Sequence, residues 1–190
     1  MKKLLIILLL LVSCNNQFKI DETFLPGLNN IEKKKEFSNF NYNSDLFAFS
    51  KEGNFLPELM KHTKKIKIGN EENSNLFFNI DPKINLPQQG YIIDIQKNII
   101  EIIAKDHEGL FYSFVTLNQI LYTSKYQKKN IRINYIKDYP ALSYRSVHID
   151  VKHHLEKKEY YFDLIDQLAS IKINGIIIEF EDKLEWSERC

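Results

Sequence analysis

The strongest indication of the fold is the segment GYIIDIQKNIIEIIAKDHEGLFYSFVTLNQILY, residues 90–122. Two runs rich in isoleucine, 91–95 and 99–103, flank a three-residue polar segment, a pattern typical of a β-hairpin. From His107 to Tyr122, apolar residues recur every three or four positions, which predicts an amphipathic helix. The recurring residues are Leu110, Phe114, Leu117 and Leu121. A hairpin followed by such a helix favours a sheet with helices on one face.

Segments on both sides of this stretch extend the predicted domain. Short apolar runs predict strands at 46–49, 76–80 and 131–136, and residues 56–65 predict a short helix. We therefore expect a small α+β domain over residues 46–139.

The pattern changes after Tyr139-Pro140. Residues 147–151 alternate apolar and polar, 156–172 have an apolar helical face, and 176–180 read as a buried strand. Strand, helix and strand form one βαβ unit, expected to be parallel, and such a unit begins a TIM barrel. A barrel needs about 250 residues, and only 50 follow Pro140. The expected fold class is thus α/β: the small domain, then an incomplete TIM barrel over 140–190.

The N-terminus indicates export. Residues 1–13 contain two lysines followed by an apolar run too short for a permanent membrane span, as in a signal peptide. The residues Leu11–Cys14 resemble the bacterial lipobox, which implies cleavage before Cys14 and its lipidation; an ordinary signal peptide with a chance cysteine is the alternative. We interpret 14–45 as a lipidated tether, and we expect the protein in the cell envelope, lipid-anchored at the outer membrane or facing the periplasm.

Composition excludes some partners. A net charge of +1 gives no broad electrostatic case for nucleic acid. The run Lys33–Lys35 favours a solvated face, with acidic lipid headgroups as the alternative. The only cysteines are Cys14 and Cys190, so lipidation of Cys14 leaves no internal disulfide.

Two groups of residues resemble glycoside hydrolase family 20, the β-N-acetylhexosaminidases. The first group comprises the segment 90–104 and the helical run Gly109–Leu121, similar to the family's small non-catalytic domain. The second is similar to the start of the family's barrel and comprises Asp138-Tyr139-Pro140, Tyr144-Arg145, His148–Val151, Lys172–Asn174 and Glu181-Asp182. Ser146 departs from the family's usual glycine, and the run 178–183 is more similar to the hexosaminidase D branch.

The resemblance implies an activity and site residues. Family members release terminal N-acetylhexosamine from glycans, using the substrate's own acetamido group and an adjacent Asp–Glu pair on the fourth barrel strand. No such pair follows Pro140, so we assign no catalytic residue. Arg145, Asp150 and Asp182 match substrate-contacting or supporting positions; an ion pair of Arg145 with Asp150 or Glu179 is the alternative for the arginine.

Two other groups of residues suggest a catalytic pair and a metal site. Glu179 and Glu181 share a strand face about 7 Å apart, a spacing within the inverting-glycosidase range, but polar residues gather at the ends of barrel strands anyway. Another set could suggest a metal site but matches no zinc spacing; it comprises His148, Asp150, His153 and His154. We expect no metal and no cofactor.

Three functional hypotheses follow. The first is the N-terminal portion of an exported, lipid-anchored β-N-acetylhexosaminidase that binds N-acetylhexosamine-containing glycans and does not hydrolyse them by itself. The second is a non-catalytic lipoprotein that keeps the small domain to bind glycans or proteins. The third is another glycosidase with a similar small domain, such as an α-glucuronidase; Arg145 and Glu181-Asp182 argue against it.

Overall fold

A seven-stranded mixed sheet with helices forms most of the structure. The structure is a computed structural model and describes residue 24 and residues 26–51, 55–60, 65–151 and 155–180, with only the backbone for residue 60. The strands are β1 (Asn30–Phe37), β2 (Leu46–Phe49), β3 (Ile66–Ile68), β4 (Leu76–Ile80), β5 (Tyr91–Ile95), β6 (Ile100–Ala104) and β7 (Arg132–Asp138). Their order in the sheet is β1-β7-β5-β6-β4-β2-β3. Two helices accompany them, α1 (Leu56–Met60) and α2 (His107–Gln127).

The predicted hairpin is confirmed. Strands β5 and β6 pair antiparallel, with Tyr91 opposite Ala104 and Ile95 opposite Ile100. Strand β7 adds to the other side of β5, also antiparallel, whereas β6, β4, β2 and β3 run parallel to one another. The sheet is therefore half antiparallel and half parallel, and the hairpin lies where the two halves meet.

Strands β1 and β3 were not predicted, and each lies at an edge of the sheet. Strand β1 falls within the segment interpreted as a tether, yet it pairs antiparallel with β7. Its sequence NIEKKKEF is almost wholly exposed, so it lacks the apolar alternation that marks a half-buried strand. Lysine-rich edge strands of this kind discourage pairing with another chain.

Helix α2 packs its predicted apolar stripe against the sheet. Leu110, Phe114, Leu117 and Leu121 are at most 3% exposed. The carboxylate of Asp106 caps the first turn by accepting a hydrogen bond from the Gly109 N–H at 2.7 Å. A side chain at Gly109 would meet the backbone oxygen of Gly90 at 2.5 Å, so glycine permits the close approach of helix and sheet.

A second, two-stranded sheet follows the first. Strand β8 (Ser146–Asp150) and strand β9 (Gly175–Glu179) pair parallel, as predicted, and helix α3 (Lys158–Ser170) connects them. No residue of α3 is buried. Hereafter residues 24–139 are called the small domain and residues 146–179 the βαβ unit. That this unit is the start of a barrel stays a prediction.

The predicted signal peptide, Cys14 and Cys190 lie outside the described residues. Within the described ranges, no helix has both the length and the apolar character needed to cross a membrane.

Candidate functional site

The carboxyl ends of β8 and β9 form a polar edge. Asp150 ends β8 and lies in register with Glu179, which ends β9. His148 Nε2 lies 3.0 Å from Glu179 Oε2, with side chains 53% and 43% exposed. This edge can form an ion pair when His148 is protonated, and its exposure leaves it open to polar ligands.

Several of the sequence-predicted site residues lie outside the described residues. They are His153, His154, Glu181 and Asp182. The catalytic hypothesis for Glu179 and Glu181 and the four-residue metal hypothesis therefore stay predictions. Among the residues that the structure does describe, no three His, Cys, Asp or Glu side chains are grouped to hold a metal ion.

Arg145 lies at the opposite, amino end of β8. A five-residue strand spans about 17 Å, which separates Arg145 from the edge that carries Asp150. The Arg145 Nε donates to the Lys172 carbonyl at 2.8 Å, and Nη1 donates to Gln89 Oε1 at 2.9 Å. The guanidinium also lies 5.0 Å from the centre of the Tyr112 ring. Arg145 thus joins the βαβ unit to the small domain, and substrate contact by this residue stays a prediction.

Lys172, which follows α3, inserts its ammonium group into the small domain. Lys172 Nζ donates to the Tyr91 oxygen at 2.7 Å and to Asp138 Oδ2 at 3.0 Å. The Tyr91 hydroxyl donates to the same carboxylate oxygen at 2.6 Å, and its oxygen lies 2.6 Å from Thr116 Oγ1. The Lys172 and Asp138 side chains are only 6% and 7% exposed. The contact is therefore a buried ion pair between the two parts of the molecule.

The other carboxylate oxygen of Asp138 is also occupied. Asn29 donates to Asp138 Oδ1 through its backbone N–H at 3.1 Å and its side-chain amide at 2.9 Å. A buried charge is tolerated when it is paired and its lone pairs are satisfied, as here.

Burial shifts two pKa values in this network. Burial, more than any other cause, lowers the pKa of Lys172, although the negative charge of Asp138 acts against it; the positive charge of Arg145 lowers it further. Burial also raises the pKa of the Tyr91 hydroxyl, and the Asp138 carboxylate adds to that increase. Tyr91 consequently remains a neutral hydrogen-bond donor throughout the physiological range.

A cavity of about 250 Å³ lies at this junction. Its wall includes Tyr91, Tyr112, Asp138, Arg145 and Lys172. The Arg145 Nη2 is buried and makes no hydrogen bond to any part of the chain that the structure describes. The cavity therefore lies beside the buried Lys172–Asp138 pair and beside Arg145.

Sequence reasoning did not assign a role to Tyr91, Asp138 or Lys172. All three belong to motifs that carry the family resemblance, but nothing local links them. A lysine just after an amphipathic helix looks like a solvated helix end, and Asp138 precedes a Tyr-Pro turn. Only contact across the assembled sheet reveals the pair.

Comparison with known proteins places this geometry in a family. The sequence model of glycosyl hydrolase family 20, domain 2, matches residues 24–139. A beta-hexosaminidase of Porphyromonas gingivalis is 32% identical over 129 residues, which are 64% of this chain and 17% of that protein. A beta-hexosaminidase of Vibrio vulnificus is 31% identical over 96 residues, covering 50% of this chain and 11% of that protein. The chain thus spans less than a fifth of these two relatives.

Solved structures show the same fold at lower identity. A β-N-acetylhexosaminidase from Bacteroides fragilis matches with a TM-score of 0.68 at 20% identity, covering 83% of this chain and 33% of that one. An exo β-N-acetylglucosaminidase from Vibrio harveyi, in complex with N-acetylglucosamine, matches with a TM-score of 0.67 at 22% identity, covering 87% of this chain and 26% of that one. The family-model match covers more than half of the chain, and the chain therefore belongs to glycoside hydrolase family 20.

Proposed function

We propose that this chain is the N-terminal portion of a lipid-anchored β-N-acetylhexosaminidase, and that its βαβ unit is the start of the catalytic barrel. The observation that carries the proposal is the extent of the fold likeness, which covers 83% of the chain and so reaches beyond residues 24–139. Parallel pairing of β8 with β9 through a helix is the connection that a (β/α)8 barrel repeats.

In this proposal, the polar edge faces the substrate. Active sites of TIM barrels lie at the carboxyl ends of the strands, and Asp150 and Glu179 end β8 and β9. Asp150 and Asp182 would support binding of a terminal N-acetylhexosamine, and Arg145 is the further candidate from the resemblance. In the family that this chain resembles, the Asp–Glu pair that assists the acetamido group belongs to a later barrel strand, so we expect no hydrolysis by these 190 residues alone.

A chimaeric enzyme tests the proposal. Residues 24–180 would replace the matching segment of the Porphyromonas gingivalis beta-hexosaminidase, and hydrolysis of 4-nitrophenyl N-acetyl-β-glucosaminide would be measured. We expect a folded chimaera with activity within about tenfold of the parent, a loss of at most about 1.4 kcal/mol of transition-state stabilisation. The 190-residue chain alone is the matched control, with no turnover expected.

Two results would contradict the proposal. One is a chimaera with the parent's circular dichroism spectrum but no activity. The other is turnover by the 190-residue chain itself, which would place a catalytic acid within these residues.

Anchoring at Cys14 is a separate part of the proposal. It is supported by the charged and apolar residues before Cys14 and by the lipobox-like Leu11–Cys14. Incorporation of labelled palmitate into the wild-type protein but not into Cys14→Ser is the expected result. Label in both proteins would assign the lipid elsewhere.

A second candidate function is glycan binding by the small domain without catalysis. Tyr122 and Tyr126 lie one helical turn apart near the end of α2, and they are 52% and 71% exposed. Exposed tyrosines combine an apolar face with a polar hydroxyl, which suits a sugar ring. Glycan-array binding lost in Tyr122→Ala/Tyr126→Ala, but retained in Tyr160→Ala, would favour this function.

A further inference from the structure

We infer that Lys172 is a positioning residue: its ammonium group, held inside the small domain, fixes where β9 begins. If the polar edge binds substrate, as the proposed function has it, then Lys172 also positions the end of β9 at that site. The positioning of β9 by Lys172 is independent of the proposed function, since it concerns only contacts between the two parts of this chain.

The backbone at Lys172 has a conformation in which a glycine is more usual than a lysine. Lys172 has a φ of +64°, in the left-handed region, at the end of α3. Glycine or asparagine usually occupies that region at a helix end because other side chains strain it. What distinguishes Lys172 from Lys128, which also has a positive φ after a helix, is that its side chain is buried against the small domain.

The contact crosses between elements far apart in the chain. The Lys172 ammonium meets the Tyr91 hydroxyl 81 residues away and the Asp138 carboxylate 34 residues away. It also lies 5.0 Å from the centre of the Tyr91 ring. These partners belong to β5 and to the end of β7, which are neighbouring inner strands of the sheet.

Little of the described part of the βαβ unit is buried. Only Val151 and Lys172 are buried among its described residues, and α3 has no buried residue. Its remaining contacts with the small domain include the Arg145 bond to Gln89 and a long 3.5 Å hydrogen bond from Gln119 to the Ser170 carbonyl. Two residues after Lys172, the Asn174 side chain bonds the backbone N–H of Arg145 at 2.7 Å and so aligns the starts of both strands.

Removal of the ammonium should therefore release the βαβ unit while the small domain stays folded. Breaking a buried ion pair by deleting one partner leaves an uncompensated charge, which is strongly destabilising. Because the partners of Lys172 retain their bonds to Asn29 and Thr116, the sheet itself keeps its hydrogen bonds.

Native-state hydrogen exchange of Lys172→Gly tests this inference, and Lys128→Gly is the matched control. Both lysines have positive φ after a helix, at +64° and +54°, but Lys128 is exposed. Glycine relieves the backbone at either position. In Lys172→Gly we expect amides of β8 and β9 to exchange about 100-fold faster, with amides of β4 and β6 changed less than about threefold. In Lys128→Gly neither set should accelerate.

The opposite results would overturn the inference. Unchanged exchange in β8 and β9 of Lys172→Gly would show that the side chain positions nothing, and equal acceleration in both sheets would show a general structural role.

A second variant is available if Lys172→Gly does not fold. The double substitution Lys172→Met/Asp138→Asn removes both charges of the pair. That variant is expected to fold with β8 and β9 still exchanging fast; slow exchange there would also contradict the inference. Because no substrate is involved, this outcome is independent of the chimaera experiment.

Discussion

The small domain buries many of its side chains, whereas the βαβ unit buries few. In the small domain, alternate residues of five adjacent strands and one face of α2 are almost completely removed from solvent. In the βαβ unit, α3 has no buried residue, and Ile177 and Ile178 of β9 are 49% and 42% exposed. The small domain therefore has its own hydrophobic core, whereas we infer that the βαβ unit is positioned by its contacts with that domain.

The difference in burial agrees with a small domain that is stable by itself and a βαβ unit that needs further neighbours. A sheet whose apolar face is covered by a long helix is stabilised by its own buried area. Two parallel strands and one exposed helix leave an open edge on each side, which natural sheets normally cover. The proposed barrel would provide that cover.

The largest expected effect comes from equivalent substitutions in the two helices. Leu117 in α2 is fully buried, whereas Leu164 in α3 is only partly buried. Leu117→Ala should lower the free energy of unfolding by about 3 kcal/mol because it leaves a cavity, and Leu164→Ala should lower it by less than about 1 kcal/mol. Urea unfolding measures both. Equal losses of unfolding free energy in the two variants would contradict the difference in burial between α2 and α3.

Glycine substitutions probe how rigidly each part is packed. A Cβ at Gly109 would meet backbone at 2.5 Å, while a Cβ at Gly175 would meet the ring of Tyr144, which is 58% exposed and can rotate away. Gly109→Ala should therefore cost about 2 kcal/mol even after the gain in helix propensity, and Gly175→Ala less than about 1 kcal/mol.

Gly27→Ala is the control for this pair, since nothing lies within 4 Å of its added Cβ. Thermal unfolding of the three variants gives the ranking. A greater loss at Gly175 than at Gly109 would show that the junction is the more rigid part.

The pH dependence of stability reports on the junction. Above pH 10.0, an unfolded tyrosine loses its proton while buried Tyr91, whose pKa is raised, keeps it. The unfolded state then binds fewer protons, so stability falls as pH rises, by about 1.4 kcal/mol per pH unit for one such group. Tyr91→Phe should remove that contribution to the slope.

The measurement is denaturant unfolding from about pH 10.5 to 12, since Lys172, with its lowered pKa, acts in the opposite direction below 10.5. Tyr126→Phe, at a residue 71% exposed, is the control and should leave the slope unchanged. The same slope in wild type and in Tyr91→Phe would argue against a buried Tyr91.

The smallest effects concern helix caps. Asp106 caps α2 through its carboxylate, whereas Lys157 precedes α3 without any side-chain cap. Asp106→Ala should cost about 1 kcal/mol, and Lys157→Asn should stabilise α3 by about 0.5 kcal/mol. Urea unfolding serves for the first variant and amide exchange of α3 for the second. A destabilised α3 in Lys157→Asn would show that its start is fixed by tertiary contacts.

The sequence predicted those parts of the fold whose signals are local. The hairpin β5–β6, the buried stripe of α2 and the parallel pairing of β8 with β9 were all predicted from periodicity and turn residues. The edge strands β1 and β3 escaped prediction because an edge strand needs no apolar alternation, and β3 is only three residues long. Helix α3 showed a clear apolar face, but periodicity does not reveal whether anything covers that face.

The candidate site, like the fold, was predicted from the sequence only in part. The family resemblance alone selected both Asp150 and Arg145 as candidate site residues. The actual surroundings of Arg145, a carbonyl of Lys172 and the amide of Gln89, depend on how the βαβ unit lies against the small domain. No pattern within a few residues of Arg145 encodes that arrangement.

Periodicity, turn residues and the order of motifs along the chain were enough to predict the hairpin, the buried face of α2 and the family. The pairing of Lys172 with Asp138 and Tyr91 was visible only in the folded structure. The physical reason is that the energy of such a pair comes from burial and from exact partners 34 and 81 residues away. Both conditions exist only once the sheet, α2 and the βαβ unit have assembled.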